Sequence, residues 1–309
     1  MTGASKNRIV VVCGPTGSGK TGLAIGLAQQ FDGEIVGADS MQIYRYMDIG
    51  TAKPTPAEQA RATHHMIDIV DPDEDFDAAM YADAAGRAID DIVGRGRLPL
   101  VVGGTGFYIK ALVYGLFEEG PSDPEIRSRL KEAAQSEGSA ALHRRLAGLD
   151  SRAAAKIHPN DAYRIVRALE VFEITGRPLS DFQQRHRFQD RRFDALFLGV
   201  TWPRPILYDR IDRRVDRMMG QGLEAEVRGL LARGYGPRLK SMQSLGYRHL
   251  AAFINGETRL DETVRTLKRD HRRYAKRQLT WFRADPAVHW MTPDAPQAAV
   301  DRIGKFLAV

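Results

Sequence analysis

Between Arg8 and Gly115, short apolar runs alternate with stretches whose apolar residues recur at helical spacing. RIVVVC leads into KTGLAIGLAQQ, EIVGAD into SMQIYRYM, HMIDIV into FDAAMYADAAGRAIDDIV, and RLPLVVGG into TGFYIKALVYG. Strand followed by helix, four times over, predicts a parallel sheet wrapped by helices. The pattern changes after Pro121-Ser122-Asp123-Pro124. From Glu125 to about Arg192 the chain reads as helices rich in Ala, Leu, Arg and Glu, broken at Gly138, Gly148, Pro159 and Gly176-Arg177-Pro178. A strand pattern returns at ALFLGVTW, from Ala195, and the remainder is mainly helical, with PILYDRIDRRVDRMM, LEAEVRGLLARG and ETVRTLKRDHRRYAKRQLTWF. The expected organisation is a discontinuous α/β core, residues 1–117 and 195–309, interrupted by an all-helical insertion domain, residues 118–194.

Composition fits this division. At 309 residues, 43% hydrophobic and 27% charged, the chain can bury one large core and a smaller module. Its longest apolar runs, IVVVC from Ile9 and ALFLGV from Ala195, are strand-sized, far short of the ~20 residues that a bilayer crossing needs. Lys6 and Arg8 imitate the basic start of a signal peptide, but the apolar stretch behind them is too short and runs into a glycine loop. A cytoplasmic protein with no membrane partner is expected, and a monomer. Cys13 is the only cysteine, which excludes an intrachain disulfide and a cysteine-based zinc cluster.

The formal net charge is +6, unevenly spread: residues 1–110 carry 10 basic and 14 acidic side chains, residues 111–309 carry 35 and 25. A basic second half suits a polyanion such as nucleic acid, and equally a solvated basic surface. DPDEDFD, from Asp71 to Asp77, reads as an acidic turn whose last carboxylates favour the N-terminus of the following helix.

Gly14-Pro15-Thr16-Gly17-Ser18-Gly19-Lys20-Thr21 fits G-x-x-x-x-G-K-[ST], with a strand before it and a helix after it. Glycines let backbone N–H groups curl round an anion at the helix N-terminus. Lys20 then reaches the terminal phosphate and the Thr21 hydroxyl helps hold Mg²⁺. This is an ATP-binding type of motif and establishes a phosphate site without establishing a kinase, which also needs a metal-holding Asp and an acceptor in line. Asp39, closing EIVGAD, is a candidate for that Asp.

Further blocks follow in order: Asp39-Ser40-Met41-Gln42-Ile43-Tyr44-Arg45, Gly50-Thr51-Ala52-Lys53-Pro54, His64-His65-Met66-Ile67-Asp68 and Gly103-Gly104-Thr105-Gly106-Phe107-Tyr108. Beyond them stand Arg164-Ile165-Val166-Arg167-Ala168-Leu169-Glu170, Gly246-Tyr247-Arg248 and Lys276-Arg277-Gln278-Leu279-Thr280-Trp281-Phe282-Arg283. The ordered set, spanning nearly the whole chain, resembles the tRNA dimethylallyltransferases, also called tRNA isopentenyltransferases, of the bacterial type. The resemblance implies a P-loop core with a helical insertion that grips the anticodon stem-loop. It also implies transfer of a dimethylallyl group from dimethylallyl diphosphate to N6 of the adenosine 3′-adjacent to the anticodon.

On that reading residues 14–21 hold the donor's diphosphate, with the amides of residues 16–21, Lys20 and Mg²⁺ steadied by Thr21 meeting the charge of the leaving group. Arg214 matches a family arginine near the diphosphate; its other reading is an exposed helix charge. Asp39 matches the family's proposed base for the N6 proton, and a metal ligand acting through water is its alternative role. Ser40, Met41 and Gln42 beside Asp39, Thr105, Arg127, Tyr163, Arg164, Arg167, Gln243, Gly246, Tyr247 and Arg248 match positions that the resemblance places against tRNA. Relatives vary around Gln243-Ser244-Leu245. On the stretch 267–283, Leu267, Tyr274, Leu279 and Phe282 share one helical face that suits core packing, which turns Arg272, Arg273, Lys276 and Arg277 outward. His64 and His65 lack metal-ligand companions and read as hydrogen-bonded structural residues. Three alternatives stand beside this reading: a P-loop kinase or ATPase, an isopentenyltransferase for free adenine nucleotides, and a noncatalytic RNA-binding protein.

Overall fold

The computed structural model describes residues 6–115, 123–186 and 191–308. In chain order the first elements are β1 (Arg8–Cys13), α1 (Lys20–Gln30), β2 (Gly33–Ala38), α2 (Pro56–Gln59), β3 (His64–His65), α3 (Ala78–Gly94), β4 (Leu98–Gly103) and α4 (Gly106–Tyr114). Five helices follow: α5 (Pro124–Ser136), α6 (Ser139–Leu149), α7 (Ser151–Ala154), α8 (Ala162–Thr175) and α9 (Leu179–His186). The chain then returns through β5 (Asp194–Val200), α10 (Arg204–Gly220), α11 (Leu223–Ala232), α12 (Tyr247–Ile254), α13 (Leu260–Arg283), β6 (Val288–Met291) and α14 (Pro296–Ala308).

The six strands form one parallel sheet in the order β3-β2-β4-β1-β5-β6. Strand β1 lies inside it, and Ile9 to Cys13 are all buried, which explains a continuous apolar run where a half-exposed strand would alternate. Against it packs a cluster that includes Val10, Val12, Leu23, Ile25, Leu27, Leu100, Leu198, Val200 and Ile303. The chain separates into two compact units, Met1–Val113 with Arg192–Val309, and Tyr114–Arg191. The expected boundary between 117 and 118 lies outside the described residues. The other, between 194 and 195, cuts into β5, because Asp194 already pairs with Arg8 of β1, so the second boundary moves to 191/192.

Within the smaller unit every described element is a helix. Leu130, Leu142, Leu146, Ile165, Leu169 and Leu179 form its core. Carboxylates start three of its helices: Asp123 accepts from the amides of Glu125 and Ile126, Asp150 from Ala153, and Asp161 from Arg164. The same chemistry starts α3 in the larger unit, where Asp77 accepts from Ala79 and Met80, the role expected for the end of the acidic turn. Among the described residues no helix is long and apolar enough to cross a membrane.

Two expected elements fail. SMQIYRYM forms turns in place of a helix. The Asp39 carboxylate takes the Met41 amide at 2.9 Å, an Asx turn that diverts the backbone, and Tyr46 sits in the left-handed region at φ 66°. HMIDIV yields only the last residue of β3, since Met66 and Asp68 have φ of 64° and 55° and break the extended run. The short strand β6 around Trp290 had no clear signal in the sequence.

Away from the carboxyl ends of the strands, the buried Glu34 of β2 gathers His65 at 2.6 Å, Arg95 at 2.9 Å and Arg97 at 3.0 Å. Burial pushes its pKa up, but these partners overcome that and hold it below the usual carboxylate range. Glu34 therefore stabilises the fold above the ordinary carboxylate pKa and loses that contribution as pH falls through its lowered folded value. E34Q is expected to cost about 2 kcal/mol at pH 7. In urea unfolding the gap between wild type and variant should narrow as pH is lowered below about 4.

Candidate active site

At the carboxyl ends of β1, β2 and β4 opens a cavity of about 1480 Å³, the place where open parallel sheets take ligands. Residues 14–21 run from the end of β1 into α1, and Thr16, Gly17, Gly19, Lys20 and Thr21 line the cavity. Gly14 has φ 144°, and a Cβ there would stand 2.2 Å from the Val200 carbonyl oxygen, so no other residue fits. Gly19, at φ 96°, turns the chain into α1. Pro15 contributes its carbonyl, which accepts from the Ser18 amide at 3.3 Å and from Lys20 Nζ at 2.7 Å.

The expectation that all amides of residues 16–21 face an anion needs correction. Thr16 donates its N–H to Gln278 Oε1 at 2.8 Å, and Ser18 donates to Pro15. The amides of Gly17, Gly19, Lys20 and Thr21 have no partner among the described residues, and neither does the buried Ser18 hydroxyl. Four amides at a helix N-terminus make a cradle for a diphosphate.

Burial pulls the Lys20 pKa down to about 8, Arg214 pulls in the same direction, and the Asp39 carboxylate opposes both. Arg214 comes from α10; its Nη2 donates to the Thr51 carbonyl at 3.3 Å, while Nε is buried with no partner among the described residues. Burial lowers its pKa as well, again against the pull of Asp39. The reading of Arg214 as an exposed helix charge is thereby set aside. From the same helix Arg210 donates Nε to the Gly17 carbonyl at 3.0 Å. Nearby His271 is driven down to about 3 by burial and by Arg214, so it is neutral and adds no third charge.

Asp39 directly follows β2, where the sheet delivers it to the cavity. Ser40 donates its amide to Thr105 Oγ1 at 3.0 Å, and Thr105 donates its own amide to the Ala38 carbonyl at 3.1 Å, tying the ends of β2 and β4 together. Met41 and Gln42 line the same wall, and Gln42 donates Nε2 to the carbonyls of Thr51 and Ala52, both at 3.2 Å. Tyr274, expected in the core, instead lines the cavity; burial and the Asp39 charge raise its pKa.

The remaining expected residues divide by exposure. Gln243 and Arg248 line the cavity; Arg248 also donates to Asp270 at 3.1 Å, and Gln243 to the Pro237 carbonyl at 2.6 Å. Gly246, at φ 93°, opens α12. Tyr247 also lies at the cavity, but its side chain is buried and donates its hydroxyl to Glu226 at 2.6 Å, where it supports a loop. In the helical unit Tyr163 is 80% exposed and Arg164 projects beside it, whereas Arg127 and Arg167 both reach the buried Glu170, at 3.0 and 2.8 Å. Of the arginines expected to point outward from α13, Arg272 is held by Asp212 at 2.5 Å and Arg277 lines the cavity. His64 bonds the Ala62 carbonyl and His65 bonds Glu34, as structural residues do.

Sequence reasoning passed over Gln278, which receives the Thr16 amide and donates to the Gly104 carbonyl at 2.9 Å, locking the cradle to the end of β4. A signal existed: position 278 falls on the buried face of α13 with Leu267, His271, Ala275 and Phe282, where a polar residue needs a partner.

The site can be set beside known proteins. Residues 42–285 match the family model described as IPP transferase, and residues 7–70 match the one described as isopentenyl transferase. The tRNA dimethylallyltransferase of Desulfosudis oleivorans is 56% identical over 293 residues, covering 94% of this chain and 93% of that protein. That of Geobacter sulfurreducens is 55% identical over 287 residues, covering 93% and 92%. Among solved structures, the tRNA isopentenylpyrophosphate transferase of Bacillus halodurans superposes with a TM-score of 0.74 at 40% identity, covering 98% of this chain and 97% of that one. A eukaryotic dimethylallyltransferase acting on tRNA gives a TM-score of 0.84 at 28% identity, covering 98% and 80%. A match this long to the family model, and relatives more than half identical across nearly the full length, place the chain in the tRNA dimethylallyltransferase family.

Proposed function

We propose that this transferase takes the dimethylallyl group of dimethylallyl diphosphate to N6 of the adenosine 3′-adjacent to the anticodon of tRNA and releases diphosphate. The observation that carries the proposal is the convergence of free cradle amides, Lys20, Arg214 and the Asp39 carboxylate on one cavity. Breaking an allylic carbon–oxygen bond leaves negative charge on the departing diphosphate. Amides of Gly17, Gly19, Lys20 and Thr21, with the Lys20 ammonium and the Arg214 guanidinium, stabilise that charge where it develops.

The oxygen donors here fit Mg²⁺: Thr21 lines the cavity at the foot of the cradle, and its hydroxyl together with the substrate's own phosphate oxygens would hold the ion. When bound, Mg²⁺ supplies further neutralisation of the leaving group. Adenine's N6 amine is a weak nucleophile because its lone pair is delocalised into the ring. Asp39 takes the N6 proton as the new carbon–nitrogen bond forms. Thr105, Ser40 and Gln42 supply polar groups beside Asp39 for a base drawn out of its stack, and a loop nucleotide pays least for extrusion. On the helical unit, Tyr163 and Arg164 offer an aromatic ring and a charge to the anticodon stem-loop, and the Glu170 bridge stiffens Arg127 and Arg167 behind them.

Incubation with Mg²⁺ and prenyl-labelled dimethylallyl diphosphate tests the acceptor. Label entering unmodified tRNA and not AMP is expected; label in AMP, or ATP hydrolysis in place of either, would contradict the proposal. Asp39→Asn should keep tRNA affinity within about threefold and lose 10²–10⁴-fold in turnover, measured by filter binding and single-turnover kinetics. A further expectation follows from Lys20. Only its ammonium form attracts a diphosphate, so affinity for inorganic pyrophosphate should decline as pH rises through about 8, by up to tenfold per unit, and Lys20→Met should remove that slope.

A further inference from the structure

One carboxylate outside the reacting groups is unusually committed. Glu226 of α11 accepts from three consecutive backbone amides: Oε2 from Asp48 at 3.0 Å and Ile49 at 2.8 Å, and Oε1 from Gly50 at 3.1 Å. Oε1 also accepts the Tyr247 hydroxyl at 2.6 Å. A glutamate given four donors from residues about 20 and 180 positions away is not a surface charge that happens to be bonded. Gly50 lies flat on the Tyr247 ring, where a Cβ would come within 2.5 Å, so the loop is pressed into place from two directions.

The next residue on this loop is Thr51, whose carbonyl accepts both Arg214 Nη2 and Gln42 Nε2. Asp48, at the loop's other end, bonds the buried ammonium of Lys53 at 2.5 Å, so the segment keeps a second anchor that is independent of Glu226. We propose that Glu226 is a positioning residue for the transfer reaction: by gripping the amides of residues 48–50 it fixes the Thr51 carbonyl, and through it the aim of the Arg214 guanidinium at the leaving group. This rests on the reading of Arg214 as a diphosphate ligand. An arginine buried in a cavity has several rotamers open to it, and a displacement of about 1 Å from its working position can cost up to 10²-fold in rate. Glu226 spends its charge on backbone amides so that Arg214 can keep its own for the substrate.

Two experiments on the full chain test this. Glu226→Gln replaces one acceptor oxygen with an NH₂ group that faces a donor, while Lys53 still holds the loop. We expect kcat to fall about tenfold with KM for tRNA changed less than twofold. In an Arg214→Lys background, where the guanidinium is gone, the same substitution should change kcat less than twofold, because residues acting through one another are non-additive. An equal fractional loss in both backgrounds, or no loss at all in kcat, overturns the proposal.

The second experiment needs no variant. Hydrogen exchange of the wild-type chain is followed with and without inorganic pyrophosphate and Mg²⁺. Slower exchange of the amides of residues 48–50 together with those of residues 17–21 supports the coupling, since a ligand that fixes Arg214 fixes Thr51 in return. Protection of residues 17–21 with none at 48–50 overturns the proposal alone. Protection of neither overturns the diphosphate reading and the proposal with it.

Discussion

Lys20 and Arg214 line one cavity with Asp39; burial lowers the pKa of both, Arg214 lowers that of Lys20 further, and the Asp39 charge opposes these shifts. Eight lysines and arginines line that cavity against five carboxylates, so the site is short of negative charge. On the proposed reading a diphosphate relieves that shortage, and relieves it more as its bond to carbon breaks and its charge grows. Preorganised positive groups act in this way without moving at the moment of reaction. The rest of the larger unit serves to hold those groups still. Gln278 pins the cradle to the end of β4, Thr105 joins β2 to β4, and Glu226 secures the loop that reaches Arg214.

Asp39 belongs to this balance as well as to the chemistry. Its charge raises the pKa of Lys20 and Arg214 against the pull of burial, so the carboxylate proposed to receive the N6 proton also favours the ionised form of both cations. A change at Asp39 thus reaches both ends of the reaction. The neutral state of His271, only four positions from Ala275 on the buried face of α13, fits the same balance, because burial and Arg214 outweigh the opposing pull of Asp270.

What the sequence made legible was what is encoded locally. Gly14 to Thr21 declares itself by spacing between a strand and a helix, and β1, β2, β4 and β5 by continuous apolar runs. Asp39 is found because it ends one of those strands. What stayed hidden depends on partners far along the chain. SMQIYRYM has helical composition, but its path is set by Lys53, by the Asp39 turn, and, just beyond it, by Glu226, which bonds residues 176 to 178 positions away. Gln278 meets Thr16 across 262 residues, so neither local spacing nor periodicity could pair them. Tyr247 matched a partner-facing motif and turned out to be buried, because its neighbour Gly50 leaves room for a ring that only the folded chain reveals. In the helical unit, no local signal gave the destination of Arg127 and Arg167, whose shared partner Glu170 lies 43 and 3 positions away.

The central claim is that the cradle keeps the phosphates while carbon departs. A donor carrying one isotope in its prenyl chain and another in its diphosphate, followed through a single turnover with unmodified tRNA and Mg²⁺, addresses it most directly. The account predicts that all transferred carbon label resides on one adenosine and all phosphorus label leaves as inorganic pyrophosphate in equal amount. Phosphorus label covalently attached to the RNA, or pyrophosphate released without carbon transfer, would contradict it.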